Sequence, residues 1–333
     1  MSSGGLFYLS FHGGSGSGSL NNIHIYASSG KDASPPKLLP AGDPPLSELR
    51  SFAFTPNGLF VVNGYKKYSQ LLQYVLNGSA YQYSTTWADP TINSVDHPFD
   101  FTFDPSGQHC YLSSQDTGVV TILTGAGQTG AVPAALTAND VPASSYLQGT
   151  FVASISDNLP NITNASVGVA EPLGLAVEVA NGKMSNSVRG LAYWNGALLV
   201  ADEVAGMVKA YSTTDGSLLA AVTGLDSPVH LLINGTTLYI STGQGAMQVA
   251  LPSQISFTTP LNAEPYIDET MLSSGGAKSV AGMCFAPEPK SNDQVMYFAD
   301  RKGNAVYYLD TSNKLQSFLT KLSDSPEFIV YQS

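Results

Sequence analysis

SVRGLAYWNGALLVADEVAGMVKAYSTTDGSLLAAVTGLDSP, residues 187–228, carries the pattern that decides the fold. It reads as a short strand, an Asn-Gly turn, and a second strand ending in a polar pair. A tight turn with glycine, a third strand, a fourth strand and a closing Ser-Pro follow. The same grammar recurs in HPFDFTFDPSGQHCYLSSQDTGVVTIL from His97 and in SVAGMCFAPEPKSNDQVMYFADRKGNAVYYLDTSNKLQSFLTKLSDSP from Ser279. Runs such as Phe52-Ala53-Phe54 and Val306-Tyr307-Tyr308-Leu309 alternate with period two, as half-buried strands do. No segment carries a stripe of helical period.

Aligning the first strands places Arg50, Phe99, Arg189, Val229, Ala281 and Glu327 in equivalent positions, spaced by 49, 90, 40, 52 and 46 residues. A unit of four strands takes about 40–45 residues in known blade repeats, so this is the period of a β-propeller. The last unit supplies only PEFIVYQ from Pro326, whereas the chain opens with GLFYLSFHGG and NIHIYAS, which read as a second and a third strand. Together they complete one blade from both chain ends, which removes an exposed sheet edge. The expectation is an all-β, six-bladed propeller spanning 1–333 as a single domain, closed by pairing of its terminal strands. The 90-residue interval holds the strand-like GTFVASIS from Gly149 and LGLAVEVANG from Leu173, which leaves seven blades as the alternative. The preferred reading is one long insertion over about 125–172.

Composition agrees: charged residues are only 12% and there are 32 glycines, as in many short strands joined by turns. A net charge of -11 with no basic run argues against nucleic acid. No apolar run approaches the ~20 residues that span a bilayer, and Met1 to Gly5 show neither a charged n-region nor an apolar h-region, so a signal peptide is not expected within this sequence. A cytoplasmic location is expected, or a secreted one if a leader has been removed, in which case the sequons at Asn77, Asn161, Asn164 and Asn234 would matter. Cys110 and Cys284 fall in the third and sixth blades, so they read as free, buried thiols.

The strands LLVADEVAGMVKAYSTTDG (198–216) and MYFADRKGNAVYYLD (296–310) resemble those of the NHL-repeat and gluconolactonase-like propellers. The segment from His97 is also similar to the lactonase-type seven-bladed propellers. The resemblance implies a propeller with a central channel. It further implies a divalent metal held by a Glu, two Asn and an Asp from first-strand starts. At the matched positions this chain keeps only Glu327, and Arg50 and Arg189 would repel a cation. The metal site is therefore not carried over, and no metal or other cofactor is expected.

In such a ring the first strands line the channel, and their starts share one mouth with the loops joining second to third strands. That gathers Arg50, His97, Asp100, Arg189, His230 and Glu327 with His12, Tyr65, Gln115, Asp116, Asp202, Glu203, Gln244, Asp300 and Arg301. Arg50 and Arg189 offer rigid forks that match an anionic group. Glu327, His230 and His97 are the candidates for moving a proton, because neutral imidazole and carboxylate both do so. His12, Asp202 and Asp300 are further candidates for touching a ligand, although an Asp ending a strand also caps the following turn.

Two glycine-rich stretches, Phe11–Ser19 and the one from Thr124, lack the Lys-Ser/Thr ending of a phosphate loop. The expected function is a small-molecule site at the channel mouth, used for metal-independent hydrolase, lyase or isomerase chemistry on an anionic or carbohydrate-like compound. The competing expectation is a protein-interaction platform, with Tyr65-Lys66-Lys67-Tyr68 as its docking loop. A lectin would repeat equivalent pockets, but the loops differ too much between repeats.

Overall fold

The computed structural model describes residues 5–13, 20–42, 44–91, 95–105, 107, 109–116, 118–124, 179–180, 183–184, 187–213, 218–256, 261–289, 291 and 293–333. The first blade joins both chain ends. It comprises β1 (Leu6–Phe11), β2 (His24–Ala27), β3 (Asp32–Lys37) and β25 (Pro326–Gln332), in the order β25-β1-β2-β3. Leu6 pairs with Gln332 and Leu9 with Ile329, so the closure read from the terminal sequences is present. Pro35 and Pro36 lie in β3, on the outer edge, where a missing backbone donor costs no ladder bond.

The second blade is β4 (Leu49–Thr55), β5 (Gly58–Asn63), β6 (Gln70–Asn77) and β7 (Ala80–Ala88). The third shows three strands, β8 (Pro98–Phe103), β9 (His109–Ser114) and β10 (Val119–Thr124). A hairpin of β11 (Val179–Ala180) and β12 (Lys183–Met184) leads into the fourth blade, β13 (Val188–Trp194), β14 (Ala197–Asp202), β15 (Met207–Ser212) and β16 (Leu218–Val222). The fifth is β17 (Leu231–Asn234), β18 (Thr237–Thr242), β19 (Gly245–Ala250) and β20 (Ala263–Ile267). The sixth is β21 (Met283–Pro287), β22 (Gln294–Asp300), β23 (Ala305–Leu309) and β24 (Leu315–Leu319). Between these two runs one helix, α1 (Glu269–Gly275), with Asp268 accepting from Met271 N at its start and Gly276 ending it in the left-handed conformation.

The core lies between blades. Each neighbouring pair shares one apolar seam, and the six seams close the circle. In the seam of the second and third blades, Phe60 lies edge-on to Trp87 at 4.6 Å, and the Trp87 indole N–H donates to Gln73 Oε1. Tyr111, Val120 and Ile122 of the third blade pack directly on Val188, Leu198 and Tyr211 of the fourth. A seventh blade between them would have to split that seam, so the ring has six. The insertion expected over 125–172 lies outside the described residues.

Inner strands approach one another closely around the axis, and two glycines permit it. Gly190 N–H donates to Val229 O and Gly282 N–H to Glu327 O, both at 2.8 Å. A Cβ at Gly190 would stand 2.6 Å from the Val229 oxygen, and one at Gly282 would stand 2.5 Å from the Glu327 oxygen. The second-strand serines tie the inner strands laterally. Ser10 Oγ donates to Arg50 O across the first seam and accepts from Phe328 N, and Ser241 Oγ accepts from His230 N. Cys110 and Cys284 are free and buried, as expected. Among the described residues, no helix is long and apolar enough to cross a membrane.

Candidate functional site

The backbone leading into the inner strands aims several site residues. Glu48, His97 and Ser227, each two positions before an aligned first-strand residue, have positive φ of 51°, 51° and 49°. Non-glycine residues seldom adopt that conformation. Its recurrence at Ser227 shows that the turn belongs to the fold; Glu48 and His97 are where it carries ionisable groups to the mouth.

At the floor sit Arg50, His230 and Glu327, all at most 2% exposed. Glu327 Oε1 is 3.3 Å from His230 Nε2, and its Oε2 is 3.4 Å from Arg301 Nε and 3.7 Å from Arg50 Nη1. None of these approaches has hydrogen-bond geometry, so this is a packed electrostatic cluster. Burial alone would raise the Glu327 carboxyl; His230, Arg301 and Arg50 outweigh it and hold the group well below the carboxylate range. Burial pushes His230 down, with Arg301 and Arg189 adding to the effect against Glu327, so its imidazole is neutral at pH 7. Phe99 forms a platform: the Arg189 and Arg50 guanidinium carbons lie 5.1 and 5.9 Å from its ring centroid. His230 lies 4.3 Å from the Phe328 ring, edge to face.

Above the floor, His97 links two blades. Its Nδ1 is 3.3 Å from Asp116 Oδ1, while its Nε2 is 3.4 Å from Arg50 Nη2 and 3.8 Å from Glu48 Oε2. Each nitrogen faces a donor and an acceptor, with Asp116 Oδ1 and Gln115 Nε2 at Nδ1 and Arg50 Nη2 and Glu48 Oε2 at Nε2; the tautomer with its proton on Nδ1 donates to Asp116 and leaves Nε2 as an acceptor. Burial, then Arg50, lowers the His97 pKa against the pull of Asp116. The pair is braced from outside, since Lys66 Nζ is 2.5 Å from Asp116 Oδ2 and Ser69 Oγ accepts from His97 N.

Arg189 donates from Nε and Nη2 to Glu203 Oε2 and from Nη1 to Gln115 Oε1. Arg50 Nη2 donates to Glu48 Oε2 at 3.0 Å. His12 Nδ1 lies 2.9 Å from Gly13 O, and burial, then Arg50, lowers its pKa to about 4. Among the described residues, no cluster of three His, Cys, Asp or Glu is placed to hold a metal ion.

The structure thus gathers Arg50, Arg189, His12, His97, His230 and Glu327 around one axis. Asp202 and Asp300 turn into their own blades. Asp202 accepts from Ala205 N and pairs at 2.5 Å with the buried Lys209. Asp300 accepts from Ser279 Oγ, Lys278 N and Gly303 N. Asp100 likewise lies in a seam, where its carboxylate accepts from Leu191 N of the fourth blade and from Phe101 N. Glu48 escaped sequence reasoning because it precedes its strand, although its alignment with His97, two residues before an inner-strand start, is a signal. Lys66 read as a surface loop because nothing local ties it to Asp116.

No protein-family model matches the sequence, and no curated protein matches it. The fold is shared with solved structures. A candidate 6-phosphogluconolactonase from Bacteroides fragilis aligns over 100% of this chain and 99% of its own, with a TM-score of 0.58 and 11% identity. The periplasmic gluconolactonase of Pseudomonas aeruginosa aligns over 99% of both chains, with a TM-score of 0.56 and 15% identity. A streptogramin B lyase aligns over 97% of this chain and 91% of its own, with a TM-score of 0.52 and 11% identity. At such identities the likeness is one of fold: a β-propeller of the kind that gluconolactonases and NHL-type proteins use.

Proposed function

We propose that the channel mouth is the active site of a hydrolase that opens lactone rings. The observation that carries this reading is the His97–Asp116 pair: with the proton on Nδ1 toward Asp116, Nε2 is left as the acceptor beside Arg50. A carboxylate on Nδ1–H orients the ring and stabilises the imidazolium that forms when Nε2 takes a proton. In hydrolysis, water would lose a proton to His97 Nε2 as its oxygen bonds to the lactone carbonyl carbon. The negative charge on the former carbonyl oxygen would be met by Arg189 and Arg301, the guanidiniums that reach solvent, with Arg50 behind them. Collapse breaks the ring C–O bond, and the imidazolium returns its proton to the departing alkoxide. Glu327 and His230, sealed at the floor, hold Arg50 and Arg301 from beneath. His12 lines the same axis as a neutral polar group. The gluconolactonase among the structures of similar fold supports the reaction class by analogy only.

A docking platform is less well supported. Among the described residues the exposed large apolar side chains, Tyr65, Leu76, Tyr83 and Val204, are divided between mouth loops and the outer strands of the second blade. The test is hydrolysis of a panel of γ- and δ-lactones followed by proton release, with wild type beside His97→Ala. Wild type is expected to open at least one lactone, with loss of about 10²–10⁴-fold in the variant. Rates should fall toward acid pH as His97 protonates. Absence of turnover, or a His97→Ala protein as fast as wild type, refutes the reading.

A further inference from the structure

The seam that closes the ring, between the sixth blade and the first, encloses a cavity of about 530 Å³, within the size range of small-ligand sites. None of its lining residues belongs to the channel mouth. Two contacts across the seam fix its shape. At one, Gly30, with a φ of 77°, lets the β2–β3 turn of the first blade rest on β24 of the sixth; a Cβ there would stand 3.2 Å from the Phe318 oxygen. At the other, Leu20 N donates to Asp324 Oδ2 at 2.8 Å, which ties the first blade to the loop after β24. That loop is anchored in turn where Leu322 N donates to Asn304 O at 2.9 Å. The cavity is therefore set by the fold before any ligand arrives.

Its lining is amphiphilic. Tyr26, Phe318 and Leu319 supply apolar surface, and the Phe318 ring is braced 4.7 Å from Phe7 and 5.2 Å from Tyr297. Polar groups stand among them. Burial, then Lys37, lowers the His24 pKa against Asp32 and Asp324, so the imidazole is neutral at pH 7, and its Nε2 is buried without a hydrogen-bond partner in the protein. Burial, then Asp32, raises the Tyr26 phenol to about 12, so it keeps its proton. Asp32, Thr320 and Ser323 are exposed and add a carboxylate and two hydroxyls, whereas Asp324 is occupied by Leu20 N and Ser325 N. A free cation here would face Lys37 and Lys321, and an anion would face Asp32. Aromatic surface beside neutral donors and acceptors instead complements a pyranose, whose C–H face packs on a ring and whose hydroxyls both donate and accept. The volume exceeds that of one sugar ring. Loops that differ between repeats argue against a circle of equivalent sugar pockets, but not against one at the seam where the chain ends meet.

We infer that the closing seam binds a short neutral oligosaccharide, at a site separate from the channel mouth and independent of the reaction performed there. Maltotriose, cellotriose and laminaritriose are titrated into the full chain while its five histidine rings are followed by NMR. At least one trisaccharide is expected to shift the His24 resonances saturably and to leave those of His12, His97 and His230 unmoved. Asp32→Ala should weaken that binding by about tenfold or more, the worth of a hydrogen bond to a charged group. Thr320→Trp, which fills the opening, should remove it. Both positions are exposed, so the melting temperature should not move in either variant. Shifts confined to the mouth histidines, or binding that both variants leave unaltered, overturn the inference. So does saturable binding of tetramethylammonium with no binding of a saccharide, and so does the absence of binding by all three trisaccharides.

Discussion

Replacing Asp100 with Asn tests how the ring is held together without reference to any substrate. The Asp100 carboxyl sits 6% exposed between the third and fourth blades, its oxygens accepting from Leu191 N and Phe101 N at 2.9 and 2.8 Å. Burial raises its pKa to about 7, against the lowering pull of Ser51, Leu191 and Phe101. In the unfolded chain an aspartate titrates near pH ~3.9. Between those values the folded protein holds a proton that the unfolded chain has released, so stability must fall as pH rises. The contribution is complete below the unfolded value and lost as pH passes through about 7. For a shift of that size, linkage gives about 2–3 kcal/mol lost between pH 5 and pH 8. The assay is urea unfolding of wild type and Asp100→Asn at both pH values. Asn also removes one of the two acceptors and costs stability on that account, but this loss is the same at both values and cancels in the difference. Wild type should lose about 2–3 kcal/mol more than the variant on going from pH 5 to pH 8. Parallel pH dependences in the two proteins would show that Asp100 is ionised in the fold and refute the reasoning.

Two further expectations concern the mouth and the axis. Lys66→Met removes the cation that faces Asp116 Oδ2 and leaves that carboxylate's pull on His97 unopposed, so the His97 midpoint should rise. Histidine NMR titration reads it directly, Lys66→Arg should restore the wild-type value, and an unmoved midpoint would show that the Lys66–Asp116 contact does not act on His97. Gly282→Ala places a Cβ 2.5 Å from Glu327 O and 2.7 Å from Phe328 Cα, backbone atoms that cannot swing aside. Overpacking of this kind costs about 1–3 kcal/mol, so the melting temperature should drop by about 1–4 °C; an unchanged value would mean the inner strands are not so tightly juxtaposed.

The choice of six blades over seven came from the apolar seam that joins the third and fourth blades directly, while the amino-acid pattern determined the blades and their closure. These follow from local rules: period-two alternation, Gly and Asn turns, and a repeat that leaves one unit short at the C-terminus and in surplus at the N-terminus. Alignment of first-strand starts also found Arg50, Arg189, His230 and Glu327, because a ring places equivalent positions about one axis. Only the tertiary structure decided what those residues do. Whether an arginine is free or spent depends on partners 14 residues away in one case and 277 in another, such as Glu203 for Arg189 and Glu327 for Arg50. The same holds for Asp100 and Lys66, whose partners come from neighbouring blades. Charge balance, burial and tautomer are properties of the assembled mouth, where contributions from separate blades meet at a few ångströms, and no single repeat contains them.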